Sequence, residues 1–396
     1  MSRPVPIEAP RRPRHQAGEP VGVLHVITHL DQGGAQDNTL LTVAGLDRAR
    51  YRVDLLAGPG ELEERAATAA DRLLVLPCFR RALLSPSDLR VAATLWRLVG
   101  AYQVVHTHGS KAGVLGRVVA RLRGVPAVVH TVHGFPVHDR MGRVRRRLLL
   151  ALERAAARCA DRIVCVCDAN AREALDLRIA RTEQLRVVVS GVPTRQVRSG
   201  SGGRVRHELG IPAGAPVVGT ITRLMEQKAP LDFVAAARRV VEAAADAHVL
   251  LVGDGPLRAE VAAAAAGVPR LHLLGFRTDV PDLLAAMDVV AFSSLWEGLG
   301  RALTEAVLVG KPVVATAVNG VPDLVVDREN GWLTRAGHPE ELADRVLRVL
   351  ALPDRGAAMG AAGADRVAGR YGVEDMVDGL DAVYQDALRA RARRPR

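Results

Sequence analysis

Short apolar runs alternate with amphipathic segments along most of the chain. The first run, Val21 to Thr28, is apolar throughout, which is typical of a parallel strand covered on both faces. Further strands are predicted in the first half of the chain, at Arg52–Ala57, Arg72–Leu76, Val104–Thr107, Ala127–Val132, Arg162–Val166 and Arg186–Val189. Helices are predicted between them, at about Asp88–Val99, Lys111–Arg123, Gly142–Cys159 and Ala169–Asp176. This alternation predicts a doubly wound α/β domain.

The alternation starts again after Gly200-Ser-Gly-Gly203, the most linker-like stretch of the chain. Strands of a second α/β domain are predicted at Val217–Ile221, Ala247–Val252, Leu271–Leu274, Val289–Ala291 and Val313–Ala315, and a last helix at about Val373–Arg394. We therefore expect a disordered basic tail at 1–20, domains at 21–198 and 199–372, and a final helix with a basic tail at 373–396. Ligands of such domains bind at the carboxyl ends of the strands.

Composition narrows the class of protein. With 48% hydrophobic and 24% charged residues in 396, the chain is globular, and its net charge of +11 favours phosphate-rich ligands, nucleic acid or an anionic membrane. Aromatic residues are only 3%, which argues against a nucleic-acid-binding surface. The sequence shows four cysteines without a paired framework, no apolar signal segment and no spanning run, so we expect a reduced, cytoplasmic setting.

Two carboxylates dominate the chemistry, in the stretch Ser294-Leu-Trp-Glu-Gly-Leu-Gly-Arg-Ala-Leu-Thr-Glu305. Glu297 lies in a loop after an apolar strand, and Glu305 lies inside the helix that follows. The turn between them, Gly298-Leu299-Gly300, precedes the helix N-terminus, where free N–H groups favour an anion such as a phosphate. The alternative for two glutamates is a solvated helix face with a loop charge.

A second cluster of charge follows the strand Val217–Ile221. Arg223 and Lys228 lie five residues apart, which suits a diphosphate because a guanidinium and an ammonium can neutralise two phosphoryl groups. Two surface cations are the alternative. Near the start of the chain, a strand followed by Gly33-Gly34 and a helix forms another turn at which a backbone can approach a ligand closely.

The N-terminal half also carries histidines at its predicted strand ends: His106, His108, His130 and His133. The alternative is a metal site, but no carboxylate or cysteine lies between these histidines in the sequence to complete a zinc-like ligand set. We expect no metal and no cofactor, and core or capping roles for most of these side chains.

These segments together resemble retaining glycosyltransferases of family 4, which have the two-domain GT-B fold. The resemblance spans roughly Val21 to Tyr384 and includes the E-x7-E pattern from Glu297 to Glu305, Gly310-Lys-Pro, Asn319-Gly-Val-Pro and Val252-Gly-Asp-Gly-Pro. Ala229 replaces the usual glycine after Lys228, and Ser190-Gly-Val-Pro replaces the usual Asn-Gly-Val-Asp. The resemblance implies two Rossmann-like domains facing across a cleft, with the last helix crossing back to the first domain.

The resemblance also implies roles for individual residues. Glu305 would hold the ribose hydroxyls, Arg223 and Lys228 would stabilise the leaving diphosphate without a metal, and His133 would lie against the donor sugar. The other implied donor contacts are Gly34, Phe276, Glu297, Gly298, Leu299 and Gly300. The implied acceptor-side residues are Gly33, His108 and Lys111.

The expected partners are a nucleotide-sugar donor, most simply a UDP-sugar, and a saccharide or lipid-linked acceptor. The alternation of His106-Thr-His, Ser110-Lys-Ala-Gly and His133-Gly-Phe most resembles enzymes that build capsular or exopolysaccharide repeat units. A basic segment, Arg140–Arg147, runs into the apolar Leu148-Leu-Leu and predicts docking on an anionic membrane, with a solvated charge run as the alternative.

Two other functions remain open at this point. A GT-B-type sugar-nucleotide epimerase would share the nucleotide site but would need no acceptor. A basic nucleic-acid-binding protein is suggested by charge alone. We expect no nucleic-acid partner.

Overall fold

The computed structural model describes residues 19–80, 85–135, 137 and 141–392. The chain divides into two compact units: unit 1 runs to Gly191 and resumes at Val373, and unit 2 is Val192–Gly372. All but the last two residues of the predicted tail at 1–20 lie outside the described residues.

Unit 1 contains a parallel sheet of seven strands among the described residues, in the order β3-β2-β1-β4-β5-β6-β7. The strands are β1 Val21–Ile27, β2 Tyr51–Ala57, β3 Arg72–Val75, β4 Val104–His108, β5 Ala127–Val132, β6 Arg162–Cys165 and β7 Leu185–Val187. The helices between them are α1 Gly34–Gly45, α2 Glu63–Ala69, α3 Ser87–Leu98, α4 Ser110–Leu122, α5 Arg143–Ala157 and α6 Asp168–Asp176. β1, β4 and β5 are buried almost throughout, as their continuous apolar character predicts.

Unit 2 repeats the architecture with a parallel sheet of six strands in its described residues, in the order β10-β9-β8-β11-β12-β13. The strands are β8 Val217–Ile221, β9 His248–Val252, β10 Leu271–Gly275, β11 Val289–Phe292, β12 Val313–Thr316 and β13 Gly331–Thr334. The helices are α7 Thr194–Val197, α8 Gly202–Glu208, α9 Pro230–Ala243, α10 Arg258–Ala265, α11 Val280–Ala286, α12 Arg301–Leu308, α13 Val321–Leu324, α14 Pro339–Leu350 and α15 Ala357–Val367. The predicted pair of doubly wound α/β domains is therefore confirmed.

The last helix, α16 Val373–Ala392, belongs to unit 1 although it follows unit 2 in the chain. Its buried face, which includes Met376, Leu380 and Tyr384, packs in one apolar cluster with Val23 of β1 and Val104 of β4. The predicted return of the last helix to the first domain is confirmed. Its physical basis is the apolar face of the β1–β4 sheet, which α16 covers.

The structure corrects the interpretation of Gly200–Gly203 as a linker. Gly200 and Gly202 lie against the backbone of α11, at Pro281 and Ala286 respectively, where a Cβ atom would collide. The glycines are therefore there for close packing inside unit 2. The units divide after Gly191 rather than at the predicted residue 198.

The strand orders fix where ligand chemistry can arise in each unit. In both sheets the order reverses between the first and fourth strands of the unit, β1 and β4 in unit 1 and β8 and β11 in unit 2. Loops at the carboxyl ends of such neighbouring strands leave a crevice in doubly wound folds. The loops after these four strands contain most of the predicted site residues.

Candidate active site

In unit 2, the loops after β8 and β11 are joined by four hydrogen bonds. The amide of Leu295 donates to the carbonyl of Gln227 at 2.8 Å, and the side chain of Gln227 donates to the carbonyl of Trp296 at 3.0 Å. The hydroxyl of Ser293 contacts the carbonyl oxygens of Lys228 and Ala229 at 3.0 and 2.9 Å. The segment that carries Lys228 is thereby held against the segment that carries Glu297.

Glu297 is the centre of this junction. Its carboxylate forms an ion pair with the ammonium of Lys228 and accepts a hydrogen bond from the hydroxyl of Ser294 at 2.8 Å. Only 9% of Glu297 is exposed, and its amide donates to the side chain of Asn319 at 3.0 Å. The structure thus brings together two predicted site residues that the sequence analysis treated separately, and their charges compensate each other.

Glu305 lies inside α12, as predicted, and is 7% exposed. Arg301, one turn earlier, donates from Nε to its carboxylate at 2.9 Å. Gly300 precedes the helix, and no described side chain caps its first turn. The N–H groups of that turn, with the positive end of the helix dipole, form a feature that favours an anion. Leu299 and Gly298 are half-buried in the turn before it.

Arg223 lies in the loop directly after β8 and is half-buried. No residue of the described chain is a hydrogen-bond or ion-pair partner of its guanidinium. Among the described residues, no nitrogen of Arg223 is one of the buried polar atoms that lack a partner, so its guanidinium reaches water and its N–H donors are open to a ligand. This is the feature expected of a residue that binds an anionic group.

The Gly-Asp-Gly turn after β9 supports the Arg223 loop. The amide of Leu224 donates to the carbonyl of Asp254, and the amide of Leu257 donates to the carbonyl of Leu224, both at 2.9 Å. Gly253 has a φ of 137°, and a side chain at Gly253 or Gly255 would collide with carbonyl oxygens of the Arg223 loop. These glycines allow close approach of two backbones, which is a structural role for the turn.

Phe276 follows β10, an edge strand of the unit 2 sheet, and is 51% exposed. An exposed aromatic ring at the carboxyl end of a strand provides a flat face for a nucleobase. Its assignment to the donor site stays a prediction.

In unit 1, the loop after β1 ends in Gly33 and Gly34, which begin α1 without a described side-chain cap. Lys111, in the first turn of α4, is buried: its ammonium pairs with Asp88 at 2.6 Å and donates to the carbonyl of Arg80 at 2.7 Å. These contacts give Lys111 a structural role. The predicted acceptor-side roles of Gly33 and Lys111 stay predictions.

The histidines of unit 1 form one cluster on the sheet. His25 and His106 are register partners on β1 and β4, and His108, two residues further on, lies on the same face of β4. The imidazole of His108 is buried and contacts His25 at 2.9 Å and His133 at 3.3 Å. His108 is thus buried and in contact with the partly buried His133. The predicted acceptor-side role of His108 also stays a prediction.

Burial keeps this cluster neutral. Desolvation lowers the pKa of His25 to about 3 and that of His133 to about 4. It also holds the pKa values of His106, His108 and His130 well below the usual range, with smaller contributions from neighbouring charges. His133 is therefore a neutral imidazole at physiological pH, able to both donate and accept a hydrogen bond.

Three of these histidines, His25, His106 and His108, bring ring nitrogens within 4.8 Å of one another. Imidazole nitrogens at this spacing are potential metal ligands. Every ring nitrogen of the three has a hydrogen-bond partner in the protein. The prediction that no metal is bound stays a prediction.

Comparison with protein families is decisive for the class of protein. Residues 33–191 match a model described as "Glycosyl transferase 4-like domain", and residues 215–351 match one described as "Glycosyl transferases group 1". The chain belongs to this glycosyltransferase family. The resemblance predicted from the motifs is confirmed, and the enzyme carries one of the two matches in each unit.

Individual relatives agree with this assignment. The glycosyltransferase is 32% identical, over 70% of its own length and 74% of the other's, to an Escherichia coli protein named UDP-Gal:alpha-D-GlcNAc-diphosphoundecaprenol alpha-1,3-galactosyltransferase. It is 31% identical, over 88% of both chains, to a 2-deoxystreptamine glucosyltransferase of Streptomyces kanamyceticus.

Solved structures support the fold. Anabaena Alr3699/HepE, crystallised with UDP and glucose, matches with a TM-score of 0.78 and 23% identity over 92% of this chain and 100% of that one. WaaG, a glycosyltransferase involved in lipopolysaccharide biosynthesis, matches with a TM-score of 0.73 and 17% identity over 91% and 99% of the two chains. The predicted GT-B fold class is confirmed.

Sequence reasoning assigned no role to several residues that shape the site. Ser294 and Asn319 both hydrogen-bond Glu297, and Tyr384 of α16 reaches the histidine cluster. Asn319 has a φ of 39°, so the Asn-Gly pair quoted for the family was a local signal for a special turn. Nothing local in the sequence connects Tyr384 to residues more than 200 positions earlier.

Ala229, which stands where the family pattern has glycine, has a backbone conformation that favours glycine. It has φ 43° and ψ 54°, the left-handed conformation that costs a side-chain-bearing residue about 1–2 kcal/mol. Ala229→Gly should therefore raise the free energy of unfolding by roughly 0.5–1 kcal/mol, after the added flexibility of glycine in the unfolded chain. Ala235→Gly, at an exposed position of α9, is the control and should lower it by about 1 kcal/mol. Urea unfolding measures both free energies. A loss of stability in both variants would contradict the strained conformation of Ala229.

The buried histidines predict loss of stability in acid. Each binds a proton in the unfolded chain near pH 6.5 but resists protonation when folded, so the unfolded state binds more protons below pH 6.5. The free energy of unfolding of unit 1 should be nearly constant with respect to these groups above pH 7. It should fall between pH 6.5 and 4 by up to about 1.4 kcal/mol per pH unit for each histidine. Urea unfolding at a series of pH values measures this, and a constant stability from pH 6.5 to 5 would contradict it.

Proposed function

We propose that this glycosyltransferase moves a hexose or N-acetylhexosamine from a UDP-sugar to a hydroxyl of a lipid-linked saccharide, with retention of configuration at the sugar. The observation that carries the donor side is Arg223, a half-buried guanidinium without a described partner, in a loop adjoining the Lys228–Glu297 pair. Similarity to one relative whose name specifies UDP-Gal and a GlcNAc-diphosphoundecaprenol acceptor supports the substrate classes.

In this proposal the leaving diphosphate is held by charge and by backbone amides. Arg223 binds one phosphoryl group, and the N–H groups at the start of α12 bind the other. Lys228 adds positive charge, which Glu297 positions through their ion pair. Negative charge that develops on the diphosphate is then stabilised by groups already in place, which is the role a metal ion has in other transferases.

The other proposed contacts are with the ribose, the base and the sugar of the donor. Glu305, held by Arg301, accepts hydrogen bonds from the ribose hydroxyls, and Phe276 contacts the base. Glu297 and the backbone of Gly298–Gly300 contact the sugar, and the neutral imidazole of His133 contacts a sugar hydroxyl.

Retention is proposed to follow from attack on the face that the diphosphate leaves. The bond from the anomeric carbon to the diphosphate oxygen breaks, and the bond to the acceptor oxygen forms on the same face. The acceptor proton moves to the departing phosphate oxygen, so no side chain is needed as the base. Arg223 and Lys228 favour this step by stabilising the phosphate as it departs.

The transfer is tested with radiolabelled UDP-sugars and an undecaprenyl-diphosphate-linked N-acetylglucosamine acceptor, in the presence of EDTA. We expect an α-linked, lipid-extractable product whose formation requires the acceptor. Arg223→Met should lower kcat/KM by about 10- to 100-fold, because a charge-assisted contact to phosphate is worth about 1.5–3 kcal/mol. Arg335→Met, which removes an exposed arginine paired with Glu341, is the control and should change it less than about twofold.

Conversion of the UDP-sugar without an acceptor would contradict transfer and favour the epimerase. A product with inverted configuration, or activity lost in EDTA and restored by Mg²⁺, would contradict the retaining or metal-independent part of the proposal.

We also propose that α5 docks the enzyme on an anionic membrane at the cytoplasmic face. Val144 and Leu148, one turn apart, are 82% and 49% exposed, and Ala151 continues the same exposed apolar stripe. Arg143, Arg145 and Arg147 are exposed beside it. This combination suits a helix that lies in the headgroup region, with apolar side chains inserted and cations at the phosphates.

Arg140 lies outside the described residues. No helix in the described part of the chain has the length and apolar character to span a bilayer.

Co-sedimentation with vesicles tests the docking. The enzyme should bind vesicles that contain phosphatidylglycerol and should release from them as salt rises. Leu148→Asp should weaken binding by about tenfold or more, because it places a charge where an apolar side chain inserts. Leu352→Asp, on a partly exposed leucine of unit 2, is the control. Equal binding to purely zwitterionic vesicles, or equal losses in both variants, would contradict docking through α5.

A further inference from the structure

A continuous chain of hydrogen bonds runs through the core of unit 1 from His133 to Thr131. Its contacts are His133 Nε2 to His108 Nδ1 at 3.3 Å, and His108 Nε2 to His25 Nδ1 at 2.9 Å. His25 Nε2 then meets the hydroxyl of Tyr384 at 3.2 Å, and that hydroxyl meets His106 Nδ1 at 2.6 Å. The chain ends where His106 Nε2 meets the hydroxyl of Thr131 at 2.7 Å.

The fold assembles this chain from four elements. His25 of β1 and His106 and His108 of β4 share one face of the sheet, and Thr131 is on the adjacent strand β5. α16 covers that face and places the buried Tyr384 edge-on to His25 and His106, with ring centroids 6.5 and 5.5 Å apart. The rings of His106 and His25 also contact each other, but in the described residues the hydroxyl of Tyr384 is the only hydrogen-bonded link between the His25 branch and the His106 branch.

We propose that this chain fixes the tautomer of His133, so that its Nδ1 stays an unprotonated acceptor directed to substrate, with Tyr384 as the positioning residue. The proposal rests on the proposed function in one respect, the contact between His133 and a sugar hydroxyl. No described residue is a hydrogen-bond partner of Nδ1 of His133, and the residue is only partly buried.

The direction of the chain follows from its distances. A neutral imidazole carries one N–H, so each ring that donates at one nitrogen must accept at the other. N–H···O hydrogen bonds span about 2.7–3.2 Å, and contacts shorter than this range are typical of a donating hydroxyl. The 2.6 Å contact is therefore the one in which Tyr384 donates to His106 Nδ1, and the 3.2 Å contact is the one in which His25 Nε2 donates to Tyr384.

The remaining tautomers follow by propagation. Because His25 donates from Nε2, its Nδ1 accepts from Nε2 of His108. Nδ1 of His108 then accepts from Nε2 of His133, which leaves Nδ1 of His133 without a proton. On the other branch, His106 accepts at Nδ1 and donates from Nε2 to Thr131. The burial of these rings, which disfavours their charged forms, keeps this pattern intact at physiological pH.

The consequence for the reaction is specific. A sugar hydroxyl that donates to Nδ1 of His133 is bound, whereas a group that can only accept is rejected. Reversal of the chain would exchange these preferences. The C-terminal helix thereby influences a substrate contact through a single hydroxyl group.

The test uses full-length enzyme labelled with ¹⁵N-histidine, free of donor and acceptor, with EDTA present. The ring ¹⁵N shifts and their couplings to carbon-bound protons identify the protonated nitrogen of each histidine, and His133→Gln assigns the His133 signals. We expect His133, His108 and His25 all to carry the proton on Nε2. In Tyr384→Phe, the donor from His25 loses its acceptor, and we expect His133 to show a mixture of tautomers or the reversed one.

Tyr51→Phe is the matched control. Its ring packs edge-on against Tyr384, but its hydroxyl bonds Asp381 and Gln385, outside the chain of histidines. We expect wild-type tautomers in this variant. In the transfer assay, Tyr384→Phe should lower kcat/KM by about tenfold, the worth of one misdirected hydrogen bond of about 1.4 kcal/mol, and Tyr51→Phe should lower it less.

Each outcome decides the proposal. A proton on Nδ1 of His133 in the wild type, or an unchanged His133 in folded Tyr384→Phe, overturns it. Ring shifts that respond to EDTA and Zn²⁺ would show a metal site at His25, His106 and His108 and also overturn it. If Tyr384→Phe does not fold, the wild-type spectrum still decides the tautomer of His133, and Thr131→Val, which removes the hydroxyl at the other end of the chain, tests its continuity. Expected tautomers without activity on any UDP-sugar would refute the proposed function but leave the hydrogen-bond chain standing.

Discussion

The ion pair between Lys228 and Glu297 is the interaction on which the candidate donor site depends. It joins the two loops that follow β8 and β11, the strands at which the sheet order of unit 2 reverses. Because the pair is nearly buried, removal of either partner would leave a charge without compensation. The hydrogen bonds from Ser294 and to Asn319 fix Glu297 further, so its position is determined before any ligand arrives.

Around this pair, some of the fixed positive charge has a carboxylate partner in the protein and some has none. Arg223 has no described partner, and the first turn of α12 has no described side-chain cap. Arg301 is committed to Glu305 and Lys228 to Glu297. The distribution suits a diphosphate, because two donor groups are open to an anion and the neighbouring cations and carboxylates are already matched in pairs.

The sequence predicted most of the sheet architecture because parallel strands buried on both faces read as continuous apolar runs, as β5 does at Ala127–Val132. It also placed Arg223 and Lys228 after a strand, Glu297 in a loop and Glu305 inside a helix, because these positions follow from the strand–loop–helix order. The Lys228–Glu297 pair and the Tyr384–histidine chain were not predictable, since both depend on which distant segments the fold brings together. Gly200–Gly203 misled the analysis because glycines required for close packing look like a flexible linker in a sequence.

The central claim is that unit 2 binds a nucleoside diphosphate through these groups without a metal. Calorimetric titration with UDP and with GDP, with and without EDTA, on wild type and Glu305→Ala, tests it most directly. The account predicts UDP binding that is tighter than GDP binding, unaffected by EDTA and weakened about 10- to 100-fold in the variant, as the loss of a carboxylate contact to ribose requires. Absence of binding of either nucleotide, or UDP binding that is indifferent to Glu305, would contradict it.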